Sequence, residues 1–195
     1  MKIVAISQRV TFIENRNEYR DSLDQRLTIF FQSIGFTPIP IPNSISNDIS
    51  TWIDIVKPDL IVLSGGNNLG DFLTRDFTEK ELINISINNH IPMLGICRGM
   101  QMIGTSFGSK LCKVDNHVSS HHKVTGEISG IKNSYHNYSL GLCPEDFKVL
   151  AHSEDSQIEA IKHLSLPIEG WMWHPERDKV SNQDDIERIM NLIKK

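Results

Sequence analysis

Seven residues, Gly95-Ile96-Cys97-Arg98-Gly99-Met100-Gln101, constrain this chain more than any other stretch. An apolar run, His90-Ile91-Pro92-Met93-Leu94-Gly95-Ile96, leads into Cys97, and residues 98–107 can form a helix. The pattern G-x-C-x-G is the thiol counterpart of the G-x-S-x-G strand-to-helix turn. Only glycine leaves room for the backbone on either side of so tight a turn. The turn sets the sulfur at a helix N-terminus, where free N–H groups and the macrodipole favour a thiolate. It also leaves the N–H of Arg98 free to donate to an oxyanion. With glycine at about 7% of residues, the pattern arises by chance on the order of once in a hundred chains of this length. Its weight therefore comes from what accompanies it.

Two segments do. Glu169-Gly170-Trp171-Met172-Trp173-His174-Pro175-Glu176-Arg177 closes a short apolar strand with a histidine and a carboxylate. A thiol nucleophile needs a base, and the base needs an acceptor for its second nitrogen. His174 and Glu176 fit those needs, with Pro175 stiffening the link. A lone His-x-Glu is ordinarily a solvated strand end; Cys97 upstream reverses that reading. In Asp59-Leu60-Ile61-Val62-Leu63-Ser64-Gly65-Gly66-Asn67, an apolar strand runs into two glycines that can aim N–H groups at a ligand. Gly66 is thus a candidate second oxyanion donor, and no phosphate-loop pattern is present.

Short apolar runs alternate with helical patterns, which predicts an α/β fold: a mostly parallel sheet with helices on both faces. Strands are expected at 2–7, 36–41, 59–64 and 91–96. Helices are expected at 18–34, 49–57, 79–89 and 98–107. After Gly108, alternating segments near 110–114, 121–129, 148–152, 157–162 and 168–173 predict added strands, partly antiparallel. Residues 182–195 read as an amphipathic closing helix. At 195 residues the chain fits a single domain spanning 1–195, with a substantial core. Its formal net charge of −4, without a basic block, argues against nucleic acid as a partner. No apolar stretch approaches ~18 residues, which argues against a membrane. Cys97, Cys112 and Cys143 lack C-x-x-C spacing and suit reduced thiols in a cytoplasm.

With Gly65-Gly66, Gly95–Gln101 and Trp173-His174-Pro175-Glu176 in this order, the chain resembles class I glutamine amidotransferases and their γ-glutamyl hydrolase relatives. Asn133-Ser134-Tyr135-His136-Asn137-Tyr138-Ser139-Leu140 resembles the stretch with which that family grips its substrate. The resemblance covers essentially the whole chain. It implies the class I fold and a C–N bond hydrolase with a Cys-His-Glu triad acting on a small γ-glutamyl amide. In that reading Cys97 attacks the γ-carbonyl to form a γ-glutamyl thioester, His174 moves the proton, and Glu176 orients His174. The N–H groups of Gly66 and Arg98 hold the oxyanion, beside Gly65. Gln101 and the backbone of Ser134 and Tyr135 grip the glutamyl end. No cofactor is implied.

Arg98 after the cysteine and Trp173 before His174 resemble stand-alone γ-glutamyl hydrolases more than synthetase-linked glutaminases. On the leaving-group side, Arg9, Arg16 and Arg20, with Tyr19 for stacking and the basic segment 116–123, suit a polyanion such as a nucleoside diphosphate. Scattered surface charge is the plain alternative for each. Glu14, Asp21 and Asp24 keep a polyamine or aminobutyrate leaving group open, and a glutaminase chain serving a separate synthetase also remains open. His121, His122 and Cys112 lack a second paired ligand set, so no metal is expected. Oligomeric state is not legible.

Overall fold

A computed structural model describes residues 1–194, with residues 46 and 47 described by backbone alone. The strands are β1 (Lys2–Ser7), β2 (Arg9–Ile13), β3 (Glu18–Ser22), β4 (Phe36–Ile41), β5 (Leu60–Leu63), β6 (Met93–Ile96) and β7 (Leu111–Lys113). They continue with β8 (Val118–Gly126), β9 (Gly130–Tyr135), β10 (Tyr138–Leu140), β11 (Phe147–Ser153), β12 (Ile158–His163) and β13 (Ile168–Trp171). The helices are α1 (Gln25–Ser33), α2 (Ile49–Val56), α3 (Leu73–Asn89), α4 (Arg98–Ser106) and α5 (Gln183–Leu192).

Nine strands form one sheet in the order β4-β1-β5-β6-β13-β12-β11-β8-β9. The first five run parallel and the remaining neighbours pair antiparallel. Parallel strands are buried on both faces and so read as continuous apolar runs. Successive side chains go to opposite faces. Val4, Ile6, Leu60, Val62, Leu94 and Ile96 pack towards α1 and α5. Ala5, Ile61, Leu63 and Met93 pack towards α2, α3 and α4. The α/β architecture, and the added antiparallel strands beyond Gly108, are as the sequence predicts.

The expected helix at 18–34 is corrected. Residues 18–22 are strand β3, paired with β2 in a hairpin that registers Arg9 with Ser22 and Ile13 with Glu18. Asn17, at φ 51°, makes the turn. The helix starts only at Gln25, capped where Asp24 accepts from the N–H of Arg26 at 3.0 Å. Tyr19 and Leu23 match the helical spacing of Leu27 and Phe30, but a cap at Asp24 ends that register. Helix α3 begins at Leu73, before the expected 79, and strands β9 and β10 have no counterpart among the expected elements. The closing helix ends at Leu192, and Lys195 lies outside the described residues.

The last strand in the chain, β13, slots into the sheet beside β6 with Gly170 opposite Gly95 and Trp171 opposite Ile96. Cys97 donates its N–H to the Trp171 carbonyl at 2.7 Å. This pairing brings His174 and Cys97 to the same edge of the sheet, 77 positions apart in sequence. A Cβ on Gly99 would lie 2.0 Å from the Leu63 carbonyl oxygen, and one on Gly95 would lie 2.5 Å from the Gly99 carbonyl carbon. Both clashes are with backbone, which cannot rotate away. Gly99→Ala should therefore destabilise the fold by about 3 kcal/mol or more, read as a lowered urea midpoint. Gly108→Ala, where nothing lies within 4 Å, should cost far less, only its φ penalty.

Candidate active site

Cys97 occupies the tight turn between β6 and α4 at φ 53°, ψ −108°, a conformation that L residues rarely adopt. It is buried. Arg98 is the first residue of α4, so its N–H is one of those a helix leaves without an internal partner. A Cβ on Gly65 would lie 2.7 Å from His174 Cε1, 3.3 Å from Nε2 and 3.6 Å from Cys97 Cβ. The glycine therefore lets the β5 loop close over the imidazole and the cysteine together.

His174 is held from three directions. Its Nδ1 lies 2.7 Å from Glu176 Oε1. Its backbone N–H donates to Asn133 Oδ1 at 3.0 Å, while its carbonyl accepts from Asn133 Nδ2 at 2.8 Å. Tyr135 packs edge-on against the ring, centroids 5.7 Å apart. Burial disfavours the imidazolium, but hydrogen bonding and charge interaction with Cys97 and Glu176 outweigh it and raise the His174 pKa to about 9.

The loop at Gly65-Gly66 is shaped by a buried arginine that the sequence does not single out. Arg75, on α3, donates to the carbonyls of Ser64 (2.7 Å), Gly65 (3.1 Å) and Gly66. In a trans peptide the N–H points opposite the preceding carbonyl. With the Gly65 carbonyl turned to Arg75, the Gly66 N–H faces the other way, and it has no acceptor among the described residues. Arg75 is itself paired with Glu79 at 3.0 Å. Glu79 also accepts from Arg98 and from Ser7 Oγ (2.7 Å), and Arg98 pairs with Asp76. The Arg98 side chain is thus committed to a buried ion network behind the loop. Burial alone would raise the Glu79 pKa, but Arg75 and Arg98 hold it below its ordinary value. The sequence signal is the Arg75/Glu79 spacing of four, indistinguishable in a chain from a solvated helix face.

Two cavities meet at Gly66. One, of about 220 Å³, is lined by Cys97, Arg98, Gln101, Tyr135, His136 and Tyr138. Gln101 donates its amide to the Tyr138 carbonyl at 2.9 Å, and buried Ser134 donates its hydroxyl to the His117 carbonyl at 2.7 Å. The other, of about 350 Å³, is lined by Arg9, Asp24, Gly65, His174, Glu176 and Arg177. Arg177 stacks over Tyr135 at 4.3 Å, a placement that nothing in the sequence pattern marks.

The structure brings Arg9 to this mouth but not Tyr19 or Arg20. Tyr19 lies on the other face of the hairpin: it packs on Phe12 (4.8 Å) and lines a different depression with Asp21 and Phe72. Arg20 is exposed and pairs with Glu18 at 2.7 Å. Arg16 is exposed on the hairpin turn. The histidines of the 116–123 segment do not surround the mouth either. His117 is buried and His122 half-buried, both against Glu159, while His121 and Lys123 are exposed on β8. Of the possible acidic contacts, Asp24 reaches the cavity but is paired with Arg26 at 2.7 Å, and Asp21 accepts from Asn43 at 2.8 Å. Cys112 faces the Ser139 carbonyl at 3.6 Å, apart from any histidine. Among the described residues, the group with donor atoms converged for a metal is His117, His136 and Glu159, which excludes Cys97 and His174. No described helix is long and apolar enough to cross a membrane.

The family model for glutamine amidotransferase class-I matches residues 12–191. The chain belongs to the class I glutamine amidotransferases. It is 34% identical over 201 residues to the gamma-glutamyl-CDP-amidate hydrolase of Campylobacter jejuni, covering 98% of each chain. It is 32% identical over 177 residues to a glutamine-hydrolyzing GMP synthase chain of Methanocaldococcus jannaschii, covering 86% of this chain and 87% of that one. Among solved structures, a putative GMP synthase chain from Thermoplasma acidophilum superposes with a TM-score of 0.78 at 23% identity, over 99% of this chain and 92% of that one. The fold, with its parallel core and antiparallel extension, is that of this family.

The raised pKa of His174 carries a testable sign. A group whose pKa is raised on folding stabilises the fold fully below its unfolded value, about 6.5, and loses that contribution as pH climbs through about 9. Stability should fall across this window. The His174 ring should titrate near the upper value by NMR, and Cys97→Ala should move the midpoint down because one of its two supporting partners is gone. An unmoved midpoint would separate the two side chains.

Proposed function

We propose that this chain is a thiol hydrolase of γ-glutamyl amides, with γ-L-glutamyl-CDP-amidate as its substrate, and that Cys97, His174 and Glu176 are its catalytic triad. The observation that carries the reading is the seating of Cys97 and His174 where two unlike cavities meet. The smaller cavity, with Gln101 and the 134–138 backbone, takes the glutamyl end. The larger, with Arg9 and Arg177, takes the leaving group.

The thiolate of Cys97 attacks the γ-carbonyl, and the negative charge moves to the carbonyl oxygen. The N–H groups of Gly66 and Arg98 meet that charge; such fixed donors, already oriented, are worth about 3–4 kcal/mol each in acyl transfer. The C–N bond then breaks as the imidazolium of His174 gives its proton to the departing nitrogen. The product side is cytidine diphosphoramidate, its nitrogen still bonded to phosphorus. A γ-glutamyl thioester remains on Cys97. Water attacks it, His174 takes the water's proton, and glutamate leaves with the thiolate regenerated. Glu176 holds the imidazole in the needed tautomer and does not itself move the proton. The released phosphoramidate would supply modification of a capsular polysaccharide, in a cytoplasmic step.

The two arginines at the mouth suit a diphosphate better than a polyamine, because a guanidinium fork matches phosphate oxygens. The M. jannaschii relative supports a second reading, a glutaminase chain that passes ammonia to a separate synthetase. Glutamate release from γ-glutamyl-CDP-amidate, γ-glutamyl-aminobutyrate and glutamine discriminates them. A strong preference for the nucleotide is expected; feeble turnover of glutamine alone would favour the second reading.

Cys97→Ala should lower turnover by about 10⁴-fold or more while the melting profile stays cooperative. Glu176→Gln should lower kcat without abolishing it. Arg9→Ala should raise KM for the nucleotide about tenfold, the worth of one charge-assisted hydrogen bond, with little effect on KM for glutamine. Equal effects on both substrates would remove Arg9 from the leaving-group pocket. Arg20→Ala, which removes a guanidinium paired with Glu18 in solvent, should leave both unchanged.

A further inference from the structure

Behind the 134–138 segment, three imidazoles close on one buried carboxylate. His117 precedes β8, His122 lies on β8, His136 follows β9, and Glu159 lies on β12. Glu159 is fully buried, and neither of its oxygens has a hydrogen-bond partner among the described residues. His117 Nδ1 and His136 Nε2 stand 3.4 and 3.5 Å from Glu159 Oε1, and 3.3 Å from each other. His122 Nε2 stands 3.4 Å from Glu159 Oε2 and also lacks a hydrogen-bond partner.

The outward nitrogens fix the tautomers. His117 Nε2 lies 3.0 Å from Asp155 Oδ2, and His136 Nδ1 lies 3.1 Å from the Tyr138 carbonyl. Both partners only accept, so those nitrogens carry the protons. In the neutral rings the inward nitrogens, His117 Nδ1 and His136 Nε2, then present lone pairs to one another and to Glu159. Acceptors facing acceptors in a dry interior repel unless a cation sits among them. The spacing identifies the kind of cation. Ligands about 2.0–2.1 Å from a tetrahedral Zn²⁺ stand about 3.3 Å apart, which matches the three measured edges. Outward N–H groups bonded to a carboxylate and a backbone carbonyl are the usual supports of zinc-ligating histidines.

We propose that His117, His136 and Glu159 form a Zn²⁺ site, with His122 beside it on the second oxygen of Glu159. Three protein ligands leave one position of a tetrahedral ion, and His122, whose Nε2 is buried without a hydrogen-bond partner, is the side chain standing nearest to fill it. The ion ties β8 and β12 to the segment carrying Tyr135 and Tyr138, whose carbonyl receives the Gln101 amide. The zinc would therefore fix the wall of the smaller cavity. Sequence spacing suggests no metal, because His121, His122 and Cys112 are the neighbours it presents; the fold gathers a different set, separated by up to 42 positions.

The site shares no residue with Cys97, His174 or Glu176, so its test runs in Cys97→Ala protein, where the thiolate beside His174 cannot capture zinc. Stripped protein is reloaded with one equivalent of Zn²⁺ or Co²⁺, desalted and assayed for metal. About one Zn²⁺ per chain should remain, the melting temperature should rise on loading, and the Co²⁺ form should show the intense visible bands of a four-coordinate ion. Glu159→Gln should lose retention. Asp155→Ala, a change at an exposed side chain, should weaken affinity about 10- to 100-fold. No retained metal in Cys97→Ala protein, a pale six-coordinate Co²⁺ spectrum, or unchanged affinity in both variants would overturn the proposal.

Discussion

Parallel pairing of β13 with β6 is the contact on which the site depends, because it makes a late segment of the chain the neighbour of the strand that ends at Cys97. The backbone bond from Cys97 to the Trp171 carbonyl fixes the stagger. Slipping the pairing by one residue would turn the alternating faces of β13 inside out. Glu169 would then exchange places with the neighbours that pack on the opposite face, and His174 would leave the sheet edge in a different direction. Trp171 and Trp173, stacked with centroids 5.3 Å apart and both buried, anchor the chain on either side of the turn that ends at His174. The tryptophan pair is thus part of how His174 is aimed. Trp173 contributes further through its indole N–H, which donates to the buried Asp185 at 3.0 Å.

The loop opposite is set by charge. Arg75, Asp76, Glu79 and Arg98 bring two positive and two negative groups into the protein interior, so the network is neutral as a whole. Such a network is not strong evidence of added stability, since desolvation offsets much of the attraction. Its value lies in geometry. Removing any one member leaves an uncompensated buried charge, at a cost of about 3–5 kcal/mol, so the four can only be kept together. While they are kept, the carbonyls of residues 64–66 have one place to point. Ser7 ties the same network to β1 by accepting from the Ser64 N–H at 2.9 Å and donating to Glu79. The ends of β1, β5 and α3 therefore move as one piece around the Gly66 N–H.

What is legible in the chain follows from range. The elbow can be read because all its requirements are local: Gly95, Cys97 and Gly99 must coexist within five residues, and backbone clashes at both glycines explain why. The His-x-Glu pair can be read because Pro175 and two residues of spacing keep it together. The central strands can be read because burial on both faces leaves unbroken apolar runs. The hairpin at 9–22 cannot. Its outer face is exposed, so Tyr19 and Leu23 happen to fit a helical period that continues into α1, and strand pairing with Arg9–Ile13 overrides it. Arg75 and Glu79 are illegible for the opposite reason. Charged residues four apart look like a solvated helix face, and only the approach of Ser64, Gly65 and Arg98 from elsewhere turns them inward.

The hairpin alters the charge around the larger cavity more than it alters the fold. As a helix, 15–24 would have presented Arg16, Tyr19 and Arg20 together. As a hairpin, alternate residues face opposite ways, and Arg20 spends its charge on Glu18 in solvent, where such a pair is worth little. The positive charge left at the mouth is Arg9 from β2 and Arg177 from just past the base. Arg177 lies 3.8 Å from Glu176 and over the Tyr135 ring, so it touches both the carboxylate beside His174 and the wall of the smaller cavity. A phosphate that drew Arg177 towards itself would loosen its hold on Glu176, leaving that carboxylate to His174 alone. If the larger cavity takes the leaving group as proposed, its occupancy and the basicity of the imidazole are coupled through one side chain, an arrangement that glutamine, with ammonia to release, would not engage.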